Sequence, residues 1–241
     1  MLELMCPNVS PLVCQKGDGS VKIRASVLLF VLAVALSIVS SVKADTVSVT
    51  LTGVSGGVQG NVYTSPYYAT VGTAANVPIV CDDYAHSVYL GESWTASVST
   101  FADLSNARFW QGTQAATLQL YDEAAYLFNE LYLQPSQAGN ISFALWAIFD
   151  PSQVKISAGW TTGGNAVNPT SAAGWLVNAQ SQIYTAGEFS NFEVLTPISP
   201  TSPQEYLVRT PEPSTVLLLG IGVLAMFALK RRKAWGSLAA E

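Results

Sequence analysis

Two apolar stretches near the ends of the chain, Ala25–Val39 and Thr215–Leu229, restrict its fold most, because each is flanked by cations and neither belongs in the core of a water-soluble domain. Lys22 and Arg24 precede the first, and Lys230, Arg231, Arg232 and Lys233 follow the second. A basic start, an apolar run and a polar, small-residue close at Ser40–Ala44 are the three parts of a secretory signal, with cleavage expected between Ala44 and Asp45. Residues 1–20 fit none of these parts and carry Cys6 and Cys14. We read them as an extension from a mis-called start, with translation from Val21 giving a signal of ordinary length over 21–44.

The second stretch holds 15 residues without a charge. As a helix it spans about 22 Å, at ~1.5 Å per residue, against ~30 Å of hydrocarbon, which is short for an ordinary anchor. Snorkelling cations or local thinning of the bilayer are expected to cover the difference. The basic cluster stays cytoplasmic by the positive-inside rule, which leaves the bulk of the chain outside the cytoplasm. One transmembrane helix with its basic cluster is therefore expected over 214–233, followed by a tail over 234–241.

Pro211-Glu212-Pro213, the short apolar stretch and the cluster Lys230, Arg231, Arg232, Lys233 together resemble the PEP-CTERM tail of Gram-negative, exopolysaccharide-producing bacteria. The resemblance implies an exosortase as partner, a membrane-embedded cysteine transpeptidase that cuts near the tripeptide. It also implies an inner-membrane intermediate and a final place on the cell surface or in the extracellular matrix. The two prolines suit such a cut, because they keep the tripeptide extended.

Between the signal and the tail, twelve carboxylates stand against Arg108, Lys155 and Arg209, a net charge near −9 over residues 45–209. That balance opposes attachment to nucleic acid or anionic lipid. Cys81 is the one cysteine there, so no internal disulfide is expected and stability must come from a packed core.

Thr46–Thr52 alternates Val47, Val49 and Leu51 with polar residues, a half-buried strand. Val77–Cys81, Ser87–Leu90 and Trp94–Phe101 read as further strands. From residue 115 the period lengthens: Leu118, Tyr121, Ala125, Phe128 and Tyr132 form the apolar face of a helix. A second helix is expected from a cap at Asn140 to Phe149, stopped by Asp150-Pro151. A third starts near Ser171 with Trp175, Ala179 and Ile183 on one stripe, and strand character returns at Phe189–Leu195 and Glu205–Val208. The pattern predicts an α+β ectodomain over 45–195, antiparallel strands with an inserted helical block, then a Pro-rich linker over 196–213 that ends in the tripeptide.

The densest polar run is Cys81-Asp82-Asp83-Tyr84-Ala85-His86. Four readings stay open for it. Asp82, Asp83 and His86 could ligate a divalent cation; Cys81 and His86 could pair as nucleophile and base; Asp82 and Asp83 could serve a secreted hydrolase; or a strand simply ends in a polar turn over a buried thiol. With a single histidine no cofactor or metal site is expected.

The run Val80–Asp83 and the later Ala144-Leu145-Trp146 also resemble the two halves of bacterial thioester adhesin domains, in which a Cys thiol and a Gln carboxamide condense. Here Ser142 occupies the glutamine position, so the resemblance implies at most a vestigial pair, Cys81 and Ser142. Thr113-Gln114-Ala115-Ala116 matches the short Gln motif elsewhere in the chain. Among the tryptophans, Trp94, Trp146 and Trp175 fall on apolar faces, whereas Trp110 and Trp160 sit in expected loops and are the better candidates for a sugar-stacking surface.

The expectation from sequence is an exported, exosortase-processed surface or matrix protein that acts by binding or adhesion to exopolysaccharide or surface proteins, without catalysis. Its alternatives are a covalent thioester-type adhesin through Cys81 and a secreted hydrolase.

Overall fold

Among the described residues, eight strands precede and follow one helical block. The computed structural model describes residues 46–199 and 203–210, with Gly220 and Gly222 besides. The chain divides into two compact units, Met1–Lys43 and Ala44–Glu241, and all described residues belong to the second. The signal segment with Ala44 and Asp45, the tripeptide Pro211–Pro213, the basic cluster Lys230–Lys233, and the expected transmembrane helix apart from those two glycines lie outside the described residues. Among the described residues no helix is long and apolar enough to cross a membrane.

The strands are β1 (Thr46–Val54), β2 (Val58–Gln59), β3 (Val62–Tyr63), β4 (Tyr67–Val71), β5 (Ala74–Cys81), β6 (Ser93–Thr100), β7 (Phe192–Pro197) and β8 (Tyr206–Arg209). The helices are α1 (Gln114–Leu133), α2 (Ala138–Phe149), the single turn α3 (Pro151–Val154) and α4 (Ala172–Gln180). Six strands close into an antiparallel barrel in the order β1-β4-β5-β8-β7-β6, and β2 and β3 form a separate hairpin.

This corrects the α+β expectation. The strands on either side of the helical block join the same ring: β6 pairs with β7 through Val98 and Leu195, and β5 pairs with β8 through Cys81 and Tyr206. Alternation identifies a strand but not its neighbour, and these neighbours lie on opposite sides of the inserted helices.

The period of two decides what fills the barrel. Registered pairs share a face, so Val49, Leu51, Ala69, Ile79, Cys81, Trp94, Ala96, Leu195 and Tyr206 point inward. Trp94 stacks on Tyr206 at 5.8 Å, and Tyr67 meets Tyr206 edge to face at 5.9 Å, so aromatic rings occupy the lumen. The opposite face of β7 and β8 is also apolar, because the helices cover it: Phe192 meets Phe128 of α1 at 5.1 Å.

The helix signals were mostly in the chain. Thr113 caps α1 by accepting from Ala116 N–H, and Ser171 caps α4 by accepting from Gly174 N–H. The expected cap Asn140 instead sits inside α2, where its amide joins Gln59, Gln137, Thr161 and Thr170. Ile183 falls beyond α4 and is exposed, and Ser87–Leu90 is irregular rather than a strand. Tyr67–Val71, which lacks a clear alternation of its own, forms β4.

The folded part also reaches past the expected boundary at residue 195. β7 continues to Pro197, and β8 occupies Tyr206–Arg209, within the segment expected to be a linker. Thr210 is tied back as well, its N–H and hydroxyl both donating to the Asn191 carbonyl at 2.8 Å.

Candidate functional site

β5 ends at Cys81, and the three consecutive side chains of Cys81, Asp82 and Asp83 enter different surroundings, all of them fully buried. Cys81 continues the inward face. Its thiol donates to the Asp83 carbonyl at 3.3 Å, and burial, reinforced by the Asp82 and Asp83 carboxylates, pushes it well above its usual range. The Trp146 indole lies close enough to favour the thiolate slightly, although its N–H makes no hydrogen bond of ordinary length.

Asp82 faces Glu205, the residue just before β8. Glu205 is well supplied with donors: Tyr121 hydroxyl at 2.5 Å, Arg108 N–H at 2.8 Å and the Thr196 hydroxyl. No donor among the described residues reaches either carboxyl oxygen of Asp82, which when protonated can itself donate to Glu205. Burial raises both groups above the usual carboxylate range; Glu205 and Asp83 raise Asp82 further, while the three donors pull Glu205 back. Hydrogen bonds to the ionised form distinguish two such acids, so Glu205 gives up its proton more readily than Asp82.

Asp83 organises the turn. Its Oδ1 accepts from Ala85 N–H at 3.1 Å and His86 N–H at 3.3 Å, and its Oδ2 lies 2.9 Å from His86 Nδ1. The Arg108 guanidinium pairs with the same oxygen, lies 3.0 Å from His86 Nδ1 and donates to the Pro203 carbonyl at 3.1 Å. Gln204 amide donates to the Asp83 carbonyl at 2.9 Å, which fastens the segment before β8 to the turn after β5.

The geometry separates the residues that the sequence grouped. Asp82 and Asp83 have different partners, and among the described residues no three of His, Cys, Asp and Glu stand in position to hold a metal ion. No hydrogen bond joins Cys81 to His86: the thiol uses the Asp83 carbonyl, and Nδ1 faces Asp83 and Arg108. Both carboxyls are fully buried.

Cys81 and Ser142 do approach each other, through Ser65. Cys81 N–H donates to the Ser65 hydroxyl at 3.2 Å, and Ser65 N–H donates to the Ser142 hydroxyl at 3.0 Å. The link is a hydrogen-bonded relay that ties the segment before β4 to the end of β5 and to α2, and it contains no carboxamide. The second Gln motif is a helix start, with Gln114 amide donating to Phe101 carbonyl at 3.0 Å and accepting from Leu104 N–H at 3.0 Å. Trp146 and Trp175 are core and Trp94 lines the lumen. Of the two loop tryptophans, Trp110 is 37% exposed and Trp160 lies under the Lys155 ammonium at 5.9 Å.

Sequence reasoning missed Arg108, Glu205, Tyr121 and Ser65. Arg108 carried a signal, since one of three cations among twelve acids is expected to be paired. The others are polar residues whose burial follows only from barrel closure.

Residues 209–233 match the PEP-CTERM protein-sorting motif family. The match begins at Arg209, the last residue of β8, and ends with the basic cluster at Lys233. It marks the chain as exported, with a membrane-anchored intermediate, and makes an exosortase its processing partner. No curated protein and no solved structure matches the chain, and nothing in the comparisons supports a thioester adhesin.

Proposed function

We propose that this sorting-motif chain is a cell-surface or extracellular-matrix protein whose barrel acts by binding or by covering the cell. The observation that carries the reading is where the motif begins: it overlaps the end of β8, so a cut near Pro211-Glu212-Pro213 leaves the whole barrel on the exported side. Its contacts there are with exopolysaccharide or other surface proteins, and the net charge near −9 argues against nucleic acid. Cys81, Asp82 and Asp83 are fully buried and serve the fold, so this reading assigns them no catalytic part.

Cell fractionation with intact-mass measurement tests this. With an active exosortase the product is expected outside the inner membrane, starting at Asp45 and lacking the basic tail. Without the enzyme it should stay in the membrane with the tail attached. A full-length cytoplasmic protein under both conditions would rule the proposal out.

A further inference from the structure

The last described residue before the sorting tripeptide, Thr210, lies on the wall of an open cleft of about 800 Å³. Asn129, Tyr132, Leu133, Asn191 and Arg209 form much of the rest of that wall. Tyr132 is 46% exposed and Leu133 is 69% exposed, at the end of a helix whose other large side chains are mostly covered. Around them stand two amides and a guanidinium, so the cleft offers apolar contact and hydrogen-bonding groups side by side.

Chain length makes this cleft relevant to processing. Three residue steps separate Thr210 from Pro213, at most about 11 Å of fully extended chain at ~3.6 Å per residue. A folded unit of 100 residues already has a radius of gyration of about 13 Å. An enzyme whose active centre closes on the tripeptide therefore overlaps this end of the barrel. A lipid surface is the poorer occupant, because the ectodomain carries a net charge near −9 and the cleft is concave with a single cation.

We propose that the cleft is a docking surface for the exosortase, engaged while the sorting tripeptide lies in the enzyme's active site. The inference rests on the sorting assignment and adds an exosite on the folded domain. Recognition then has two parts, the tripeptide at the active centre and the cleft beside it. The two hydrogen bonds from Thr210 to the Asn191 carbonyl keep the last residue before the tripeptide on the wall of the cleft.

The test follows processing of the full chain by pulse labelling in cells that contain the exosortase. It compares the native sequence, the pair Tyr132→Ala and Leu133→Ser, and a chain with a flexible Gly/Ser insertion after Thr210. Both altered chains are expected to be cut about tenfold more slowly, as loss of one good interface contact would predict. An unchanged thermal midpoint of the purified chains would show that the barrel is intact. Cutting of the cleft variant at the native rate would overturn the proposal. The slowing should persist in detergent extract, and its disappearance there would assign the cleft to the lipid surface and also overturn it. Failure of the sorting assignment looks different: the native chain itself would then remain uncut.

Discussion

Asp82 sets the behaviour of this protein towards pH. It is fully buried, is reached by no donor among the described residues, and is surrounded by Glu205, Asp83, Tyr121, Cys81 and Tyr206, with Arg108 committed to Asp83. Its folded form prefers the proton more strongly than the unfolded chain does, where an Asp titrates near about 3.9. Such a group contributes stability that is fully present below its unfolded value and is lost as pH rises through the folded one. Asp122, pushed up to about 6 by partial burial and by Glu188, acts in the same direction. Stability to urea is therefore expected to fall as pH is raised from about 4 through neutrality. Asp82→Asn should flatten the dependence and make the protein more stable at pH 7. Midpoints across that range check both, and a rising midpoint for the native chain would contradict the assignment. The run from Cys81 to His86 was legible as a polar turn over a buried thiol. The upward shift of Asp82 was not, because it depends on Glu205 arriving from the far end of the chain.

At the level of elements, the Ser65–Ser142 contact shows what the Cys81 and Trp146 regions share. α2 is apolar on nearly every side, with Ile141, Phe143, Ala144, Leu145 and Trp146 all buried, so it lies inside the fold rather than on it. A buried helix positions itself by packing and uses its few polar groups for orientation. Ser142→Ala would leave the Ser65 N–H buried and unpaired, at a cost of about 1–2 kcal/mol. Chemical denaturation is the measurement, and a change below about 0.3 kcal/mol would show that another acceptor takes over. The helices were readable from local signals: a 3.6-residue apolar stripe, the start near Ser171 and the stop at Asp150-Pro151. Strand order was not. β4 is short, begins directly after Pro66 and pairs with β1 and β5, partners that its own five residues do not specify.

For the whole molecule, antiparallel strand order assigns the two rims of the barrel different work. β1 begins and β8 ends at the same rim, so both the entry at Thr46 and the exit towards the sorting motif lie there. The β2–β3 hairpin and the turn from Asp82 to Glu92 connect strands at the opposite rim. That rim exposes Val58, Tyr63, Tyr89 and Leu90, which are 60–76% accessible. Loops on a rigid scaffold are where contact with partners concentrates. Substituting Tyr89 and Leu90 by Ser is expected to lower retention in the extracellular matrix several-fold while leaving the rate of exosortase processing unchanged. Retention and processing measured in the same cells would separate these effects, and a coupled change in both would refute the division of labour.

Closure of the six-stranded ring has a further consequence for an exported protein that carries this sorting motif. An open sheet presents a row of unpaired backbone groups on which the next copy can add a strand, and crowding favours that reaction. Here β1 and β6 pair with each other, so the main sheet presents no free border. The barrel strands therefore offer no edge on which another copy could add a strand, and contact between copies through the barrel falls to loops and side chains.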